Sequence, residues 1–229
     1  MVNVLCYGDS NTYGFTPDWK SRFPREVRWP GALQAMLGDE FYVAEDGLIG
    51  RTSAFPDTHR YGRSAMDFLH VAIESHSPLD YLIVMLGTND CKTEKTRSAG
   101  EAAAGMEQLV RLAVGMLPMY TKLVLITPPP IHAPVTERDP DFDAQSVTVS
   151  EGLAEQHRMI AEAYGCLYLY AGTAPAIWTA SISTKRDMRR WPLRSRSCFC
   201  GTPAAPDKIK TIPAVPCAQR EWFLFQKKC

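Results

Sequence analysis

The stretch YLIVML at residues 81–86 is apolar at every position. A strand with one wet face alternates apolar and polar residues. An unbroken apolar run suits a strand buried on both sides, as in a parallel sheet covered by helices. Val2–Tyr7, Phe41–Glu45, Lys122–Thr127 and Cys166–Tyr170 read as four further strands. Between the strands lie segments with helical spacing. Trp29–Leu37 is short and closes at Gly38, and Tyr61–Ser75 carries Met66, Leu69, His70 and Ile73 near one face. Ala99–Leu117 is apolar through Met106, Leu109, Val110, Ala113 and Val114, and Ser150–Tyr164 has Ser150 as its expected N-cap. Strand and helix alternate with short connections, which implies right-handed βαβ units and a parallel α/β sheet with both faces covered.

With 229 residues the chain is long enough to bury the core of one such domain. Its 45% hydrophobic and 22% charged residues are ordinary for a globular protein, and the formal net charge is zero. Nothing in that balance points to nucleic acid or to an acidic membrane surface. No apolar stretch reaches the roughly 18 residues that a span requires. The N-terminus enters a strand without the basic and apolar regions of a signal peptide, so a cytoplasmic protein is expected. The seven cysteines include no C-x-x-C pair, which argues against a zinc site or a thioredoxin-like centre. Cys6 and Cys166, in strand-like runs, read as small core residues. No G-x-G-x-x-G or P-loop follows a strand, so a nucleotide site is not expected either.

Three strands end in unusual polar residues: GDSNTYG at 8–14, EDGLIGRTS at 45–53 and MLGTND at 85–90. In a parallel sheet these ends share one edge, where ligands of open α/β sheets bind. Ser10, Gly50 and Asn89 can therefore converge although they lie far apart in the chain. Acyl transfer needs that convergence, because a serine attacks a carbonyl and the oxyanion needs preorganised donors. The backbone N–H groups of Ser10 and Gly50 and the side-chain amide of Asn89 would supply three. Gly50 lets the backbone approach closely, and the neutral Asn89 amide carries two donors. Taken singly, Ser10 reads equally well as a helix N-cap, Gly50 as a turn glycine, and Asn89-Asp90 as loop residues capping the next segment. Three such blocks in order at strand ends favour catalysis. Asp9 is expected to organise its turn through local hydrogen bonds, and Arg51 to bind the loop, an ion-pair partner or a substrate oxygen. Tyr13, Phe15, Trp19 and Trp29 are candidates to line an acyl or alcohol pocket.

These blocks resemble the first three of the SGNH, or GDSL, hydrolase family, and their spacing fits it. VRWPGALQAMLG, the aromatic after SNT, and DYLIVMLGTNDCK are similar to its arylesterase and acyltransferase branch. The resemblance covers about residues 2–172. It implies a flavodoxin-like three-layer α/β/α sandwich with a five-stranded parallel sheet. Ser10 would be the nucleophile, with Ser10, Gly50 and Asn89 forming the oxyanion hole. It implies no metal or organic cofactor, a small-molecule ester as partner, possible acyl transfer to alcohols, and a homo-oligomer that narrows the site.

The family's fourth block, Asp-x-x-His after the fifth strand, is missing. It would supply the general base and the carboxylate that orients it. The five histidines are His59, His70, His76, His132 and His157, and none follows position 157. His70 and His157 fall in helices and read as ordinary face residues, His59 and His76 lie in or near loops, and His132 at a strand end is the spare candidate. Composition also changes late in the chain. Residues 185–229 hold 11 Lys and Arg against 3 Asp and Glu, leaving 14 and 22 before them, and four of the seven cysteines. A domain over residues 1–175 followed by an irregular basic tail over 176–229 is therefore expected. Trp178 is encoded by TGG and threonine codons begin AC, so regrouping one base earlier places aspartate at Thr179. The following codons allow D-G-I-H-L-D-K-E-G-H, with Asp and His near Thr179–Ser181. A slipped reading frame just before Trp178 explains the charge, prolines, cysteines and lost periodicity together. The alternative is a genuine basic interaction tail, although a disordered tail has little use for Trp191, Trp222 and Phe223.

The function expected is a serine carboxylic-ester hydrolase acting on small acyl esters, arylesterase-like. One alternative is a carbohydrate or thioester deacylase of the same family. Another is a non-catalytic relic or binding protein without the catalytic histidine.

Overall fold

The computed structural model describes residues 1–16 and 18–173. The expected Asp-x-x-His region near Thr179–Ser181 and the tail over 176–229 lie outside the described residues. Five strands form one all-parallel sheet: β1 (Val2–Gly8), β2 (Phe41–Gly47), β3 (Tyr81–Met85), β4 (Lys122–Thr127) and β5 (Leu167–Tyr170), in the order β2-β1-β3-β4-β5. All five strands match the sequence reading to within two residues at either end.

The helices are α1 (Ser10–Tyr13), α2 (Trp29–Leu37), α3 (Ala65–His76), α4 (Ala99–Met116), α5 (Ala133–Thr136) and α6 (Ala144–Tyr164). Side chains alternate across each strand, so the sheet has two apolar faces. Leu5, Tyr7, Leu82, Val84, Leu123 and Leu125 point to one, where they form a single cluster with Leu69 and Ile73 of α3, Met106 and Leu109 of α4, and Ile160 of α6. The neighbouring strand residues Val4, Cys6, Ile83, Met85, Val124 and Ile126 are also buried, on the opposite face. The chain winds outward from β1 to β2 through α2, then returns past β1 to β3 through α3. Right-handed crossovers running in opposite directions put α2 and α3 on opposite faces. The order therefore reverses between β1 and β3, the switch point at which α/β sheets open a crevice.

Two helices start elsewhere than the sequence suggests. Helix α6 begins at Ala144, not Ser150. Asp143 caps it by accepting from Ser146 N at 2.9 Å, and Ser146 Oγ accepts from Asp143 N at 3.2 Å. This reciprocal box supersedes Ser150, whose hydroxyl donates to Val147 O and accepts from Ile131 N instead. Helix α3 begins at Ala65, not Tyr61. The preceding residues are drawn into a bridge with the β2–α3 loop, where Thr52 N donates to Arg63 O and Ala65 N to Thr52 O. No helix among the described residues is long and apolar enough to cross a membrane.

Candidate active site

Strand register assembles the site. Gly8 at the end of β1 pairs with Gly47 of β2 on one side and Met85 of β3 on the other. Three strands thus stop at one level, and the segments that follow them lie side by side. Ser10, Gly50 and Asn89 all line one cavity of about 510 Å³.

Ser10 is the first residue of α1, and Asp9 is its cap. The Asp9 carboxylate accepts from Asn11 N at 2.8 Å and from Asn11 Nδ2 at 2.8 Å. Asp9 therefore holds the turn, as the sequence suggests, and Ser10 is released from capping. Among the described residues the Ser10 hydroxyl has no hydrogen-bond partner, and neither Ser10 N–H nor Gly50 N–H donates to a protein acceptor. Gly50 has φ +81°, a left-handed backbone that glycine adopts without strain. Asn89 opens a short 3₁₀ turn (Asn89–Cys91) and donates Nδ2 to Arg51 O at 3.1 Å, with Asp9 Oδ2 further off at 3.5 Å.

A buried polar frame underlies these groups. Arg51 is enclosed; it donates to Gly8 O at 2.8 Å and Asp46 O at 2.7 Å, pairs with Asp46 at 2.9 Å, and lies 4.1 Å from the Tyr7 ring centroid. It is a loop clamp, spent on the protein and not on a substrate oxygen. Asp90, fully buried, accepts from Ser53 N at 3.0 Å and from Ser53 Oγ, joining the β3 end to the β2–α3 loop. Burial drives the Asp9 carboxyl up to about 6, against its hydrogen bonds from Asn11. Burial likewise pushes Asp90 up to about 7, opposed by Ser53 and reinforced by the nearby Asp9 charge.

The aromatic candidates divide. Phe15 and Trp19 line the cavity. Tyr13 does not; it packs edge-on against Phe15 and beneath the Arg22 guanidinium. Trp29 is buried at the start of α2, away from the wall. Ile131, Val135 and Phe142, from the connection between β4 and α6, complete the apolar side. His132 sits at the cap of α5, exposed and outside the wall, and His59 is the histidine that lines it among the described residues. His157 is not a face residue. It is fully buried, with Nδ1 3.1 Å from Thr127 Oγ1. The sequence reading missed the Asp90–Ser53 link, His59, Arg60 and the β4–α6 wall. These residues come from loops without periodicity, and the one available signal was Asp90 itself, next to Asn89.

The likeness to known proteins follows the same geometry. The model of the GDSL-like lipase/acylhydrolase family matches residues 6–191, past the point where the chain loses its histidines. A carbohydrate acetylesterase family member from Sinorhizobium meliloti is 30% identical, with 87% of this chain and 99% of that one covered at a TM-score of 0.75. The M. smegmatis aryl esterase is 27% identical over 86% of this chain and 100% of that one, also at a TM-score of 0.75. An acetylxylan esterase from Xylanibacter ruminicola is 30% identical over 115 residues, which is 48% of this chain and 21% of that protein. The chain thus spans about a fifth of the length of that curated relative. With its sheet order, its serine turn and its three aligned strand ends all accounted for, the chain belongs to the GDSL-like lipase/acylhydrolase family of esterases.

Proposed function

We propose that the protein hydrolyses small acyl esters, acetyl esters foremost, with Ser10 as nucleophile. The observation that carries this reading is the shared wall. Ser10, Gly50 and Asn89 arrive from three strand ends at one cavity, with two backbone N–H groups unengaged among the described residues. Ser10 Oγ attacks the ester carbonyl and forms a bond to the acyl carbon. The negative oxygen that develops is held by Ser10 N–H, Gly50 N–H and Asn89 Nδ2. Collapse breaks the ester C–O bond; the proton taken from Ser10 leaves with the alcohol. Water then hydrolyses the acyl-serine, and the acid departs. The base that carries the proton is assigned to the Asp-x-x-His block that the other reading frame would place near Thr179–Ser181, outside the described residues; the chain as given has no histidine after His157.

Phe15, Trp19, Ile131 and Phe142 support an aryl or acyl group against the wall. Asp57, His59, Lys92 and Asp141 on the same wall favour a second reading, in which the alcohol is a carbohydrate whose hydroxyls they bind. The acetylesterase relatives support the acetyl group in both readings.

The test is p-nitrophenyl acetate hydrolysis by the chain as given, by Ser10→Ala, and by a version re-read in the other frame from Trp178. Turnover by the re-read protein that Ser10→Ala abolishes supports the reading and makes the tail a lesion or an error. Turnover equal in the given chain means that a base lies elsewhere, with His59 and His132 the first to substitute. Turnover that survives Ser10→Ala overturns the reading.

A further inference from the structure

Gly50 is crowded from one side by cations. A Cβ placed on it would come within 2.8 Å of Arg60 Nη1 and 3.7 Å of Arg63 Cδ. Arg60 lines the cavity. Among the described residues the other buried or cavity-wall Arg and Lys side chains have acceptors: Arg28 pairs with Glu45 at 3.0 Å, Arg51 with Asp46 at 2.9 Å and Lys92 with Asp141 at 2.7 Å, while half-buried Arg63 donates Nη1 to Tyr61 O at 2.9 Å. The Arg60 guanidinium has no hydrogen bond or ion pair among the described residues. The nearest acid in sequence, Asp57, does not satisfy it. Asp57 Oδ1 is spent on the backbone N–H groups of His59 and Arg60, at 2.9 Å each. Among the described residues, the buried Nε of Arg63 also lacks a hydrogen-bond partner.

A guanidinium is a planar fork of donors that fits a carboxylate with two parallel bonds. One that reaches a cavity beside an oxyanion donor, with its donors unspent, meets whatever the bound ester carries there. We infer that Arg60 is a specificity-determining residue that selects esters bearing a carboxylate, on either the alcohol or the acyl side. This inference rests on the cavity being the ester site proposed above. It goes further, since neither an aryl nor a neutral sugar ester would use that charge. Arg60 would hold the far end of the substrate while the carbonyl lies against Gly50. Its attraction would be screened by salt, because the residue is exposed.

The test separates binding from turnover by using the full chain with Ser10→Ala, so that bound esters persist. Calorimetry compares 4-acetoxybenzoate, acidic on the alcohol side, with its neutral methyl ester. It also compares ethyl hydrogen succinate, acidic on the acyl side, with diethyl succinate. One acidic member is expected to bind about tenfold tighter than its neutral partner, as a charged hydrogen bond supplies. That preference should vanish with Arg60→Gln and shrink at raised ionic strength. Which pair shows it assigns the side. Equal binding within both pairs, no binding by any of the four, or a preference that survives Arg60→Gln overturns the inference. The p-nitrophenyl acetate assay on the chain with Ser10 intact stands apart, so failure of the esterase reading is recognised separately.

Discussion

Asn89 is tied down at one end and available at the other. Its amide donates to Arg51 O at 3.1 Å, while the approach to Asp9 Oδ2 is 3.5 Å, too long for a strong bond. One N–H can therefore meet an oxyanion while the other fixes the side chain's orientation and steadies the loop that carries Gly50. Asn89→Ala removes both. The expected loss in kcat for p-nitrophenyl acetate is about 10²–10³-fold, with KM changed far less, as for loss of one oxyanion donor. Steady-state kinetics check it, and a loss appearing in KM alone would assign Asn89 to ground-state binding. Ser10 differs from its neighbours in having nothing to hold. The capping oxygen comes from Asp9, so the hydroxyl one residue later is left for chemistry. Whether a serine after a strand caps or reacts cannot be decided from serine alone, because the residue before it competes for the same N–H.

Elements place these groups by register, and loops then need ties of their own. The β2–α3 loop bearing Gly50 is anchored to the end of β3 through Asp90, which accepts from both the N–H and the hydroxyl of Ser53. Asp90→Ala strands the Ser53 N–H in a dry site at a cost of about 1–3 kcal/mol. Asp90→Asn keeps one acceptor oxygen and should recover much of that loss. Urea unfolding ranks the two, and kcat should fall in the same order because the displaced loop carries an oxyanion donor. Equal behaviour of the two variants would mean that the carboxyl only fills space. The strands themselves were legible because their double burial writes a continuous apolar run, as in Tyr81–Met85. The start of α6 was not: Asp143 and Ser146 form its box at the end of a mostly polar run, 137–143, that looks like loop. The cavity wall from Asp57 to Arg60 and from Pro129 to Phe142 has no period at all, and only tertiary contact brings it to Ser10.

For the whole molecule, the buried histidine sets a slope with pH. Tyr168 OH donates to Ala154 O at 2.7 Å, so its oxygen accepts from Thr127, whose own oxygen then accepts from His157 Nδ1–H. Among the described residues Nε2 is buried without a partner, beside Gly87 just past the end of β3. Burial holds this histidine down to about 4 from its usual 6.5. The unfolded chain therefore takes up a proton between those values that the fold refuses, and stability falls as pH drops through that window. The buried carboxyls act in the opposite sense. Asp9 and Asp90, raised to about 6 and about 7, keep protons that the unfolded chain has released, so their contribution declines as pH rises toward neutrality. The two effects overlap in a wild-type profile but separate by difference. His157→Gln removes the histidine's share and leaves the carboxyls in place. Its deficit relative to the unmutated chain, measured by urea unfolding, should shrink by about 2 kcal/mol between neutral pH and about pH 5. A deficit that stays constant over that range would mean that His157 takes up its proton as readily in the fold as in the unfolded chain.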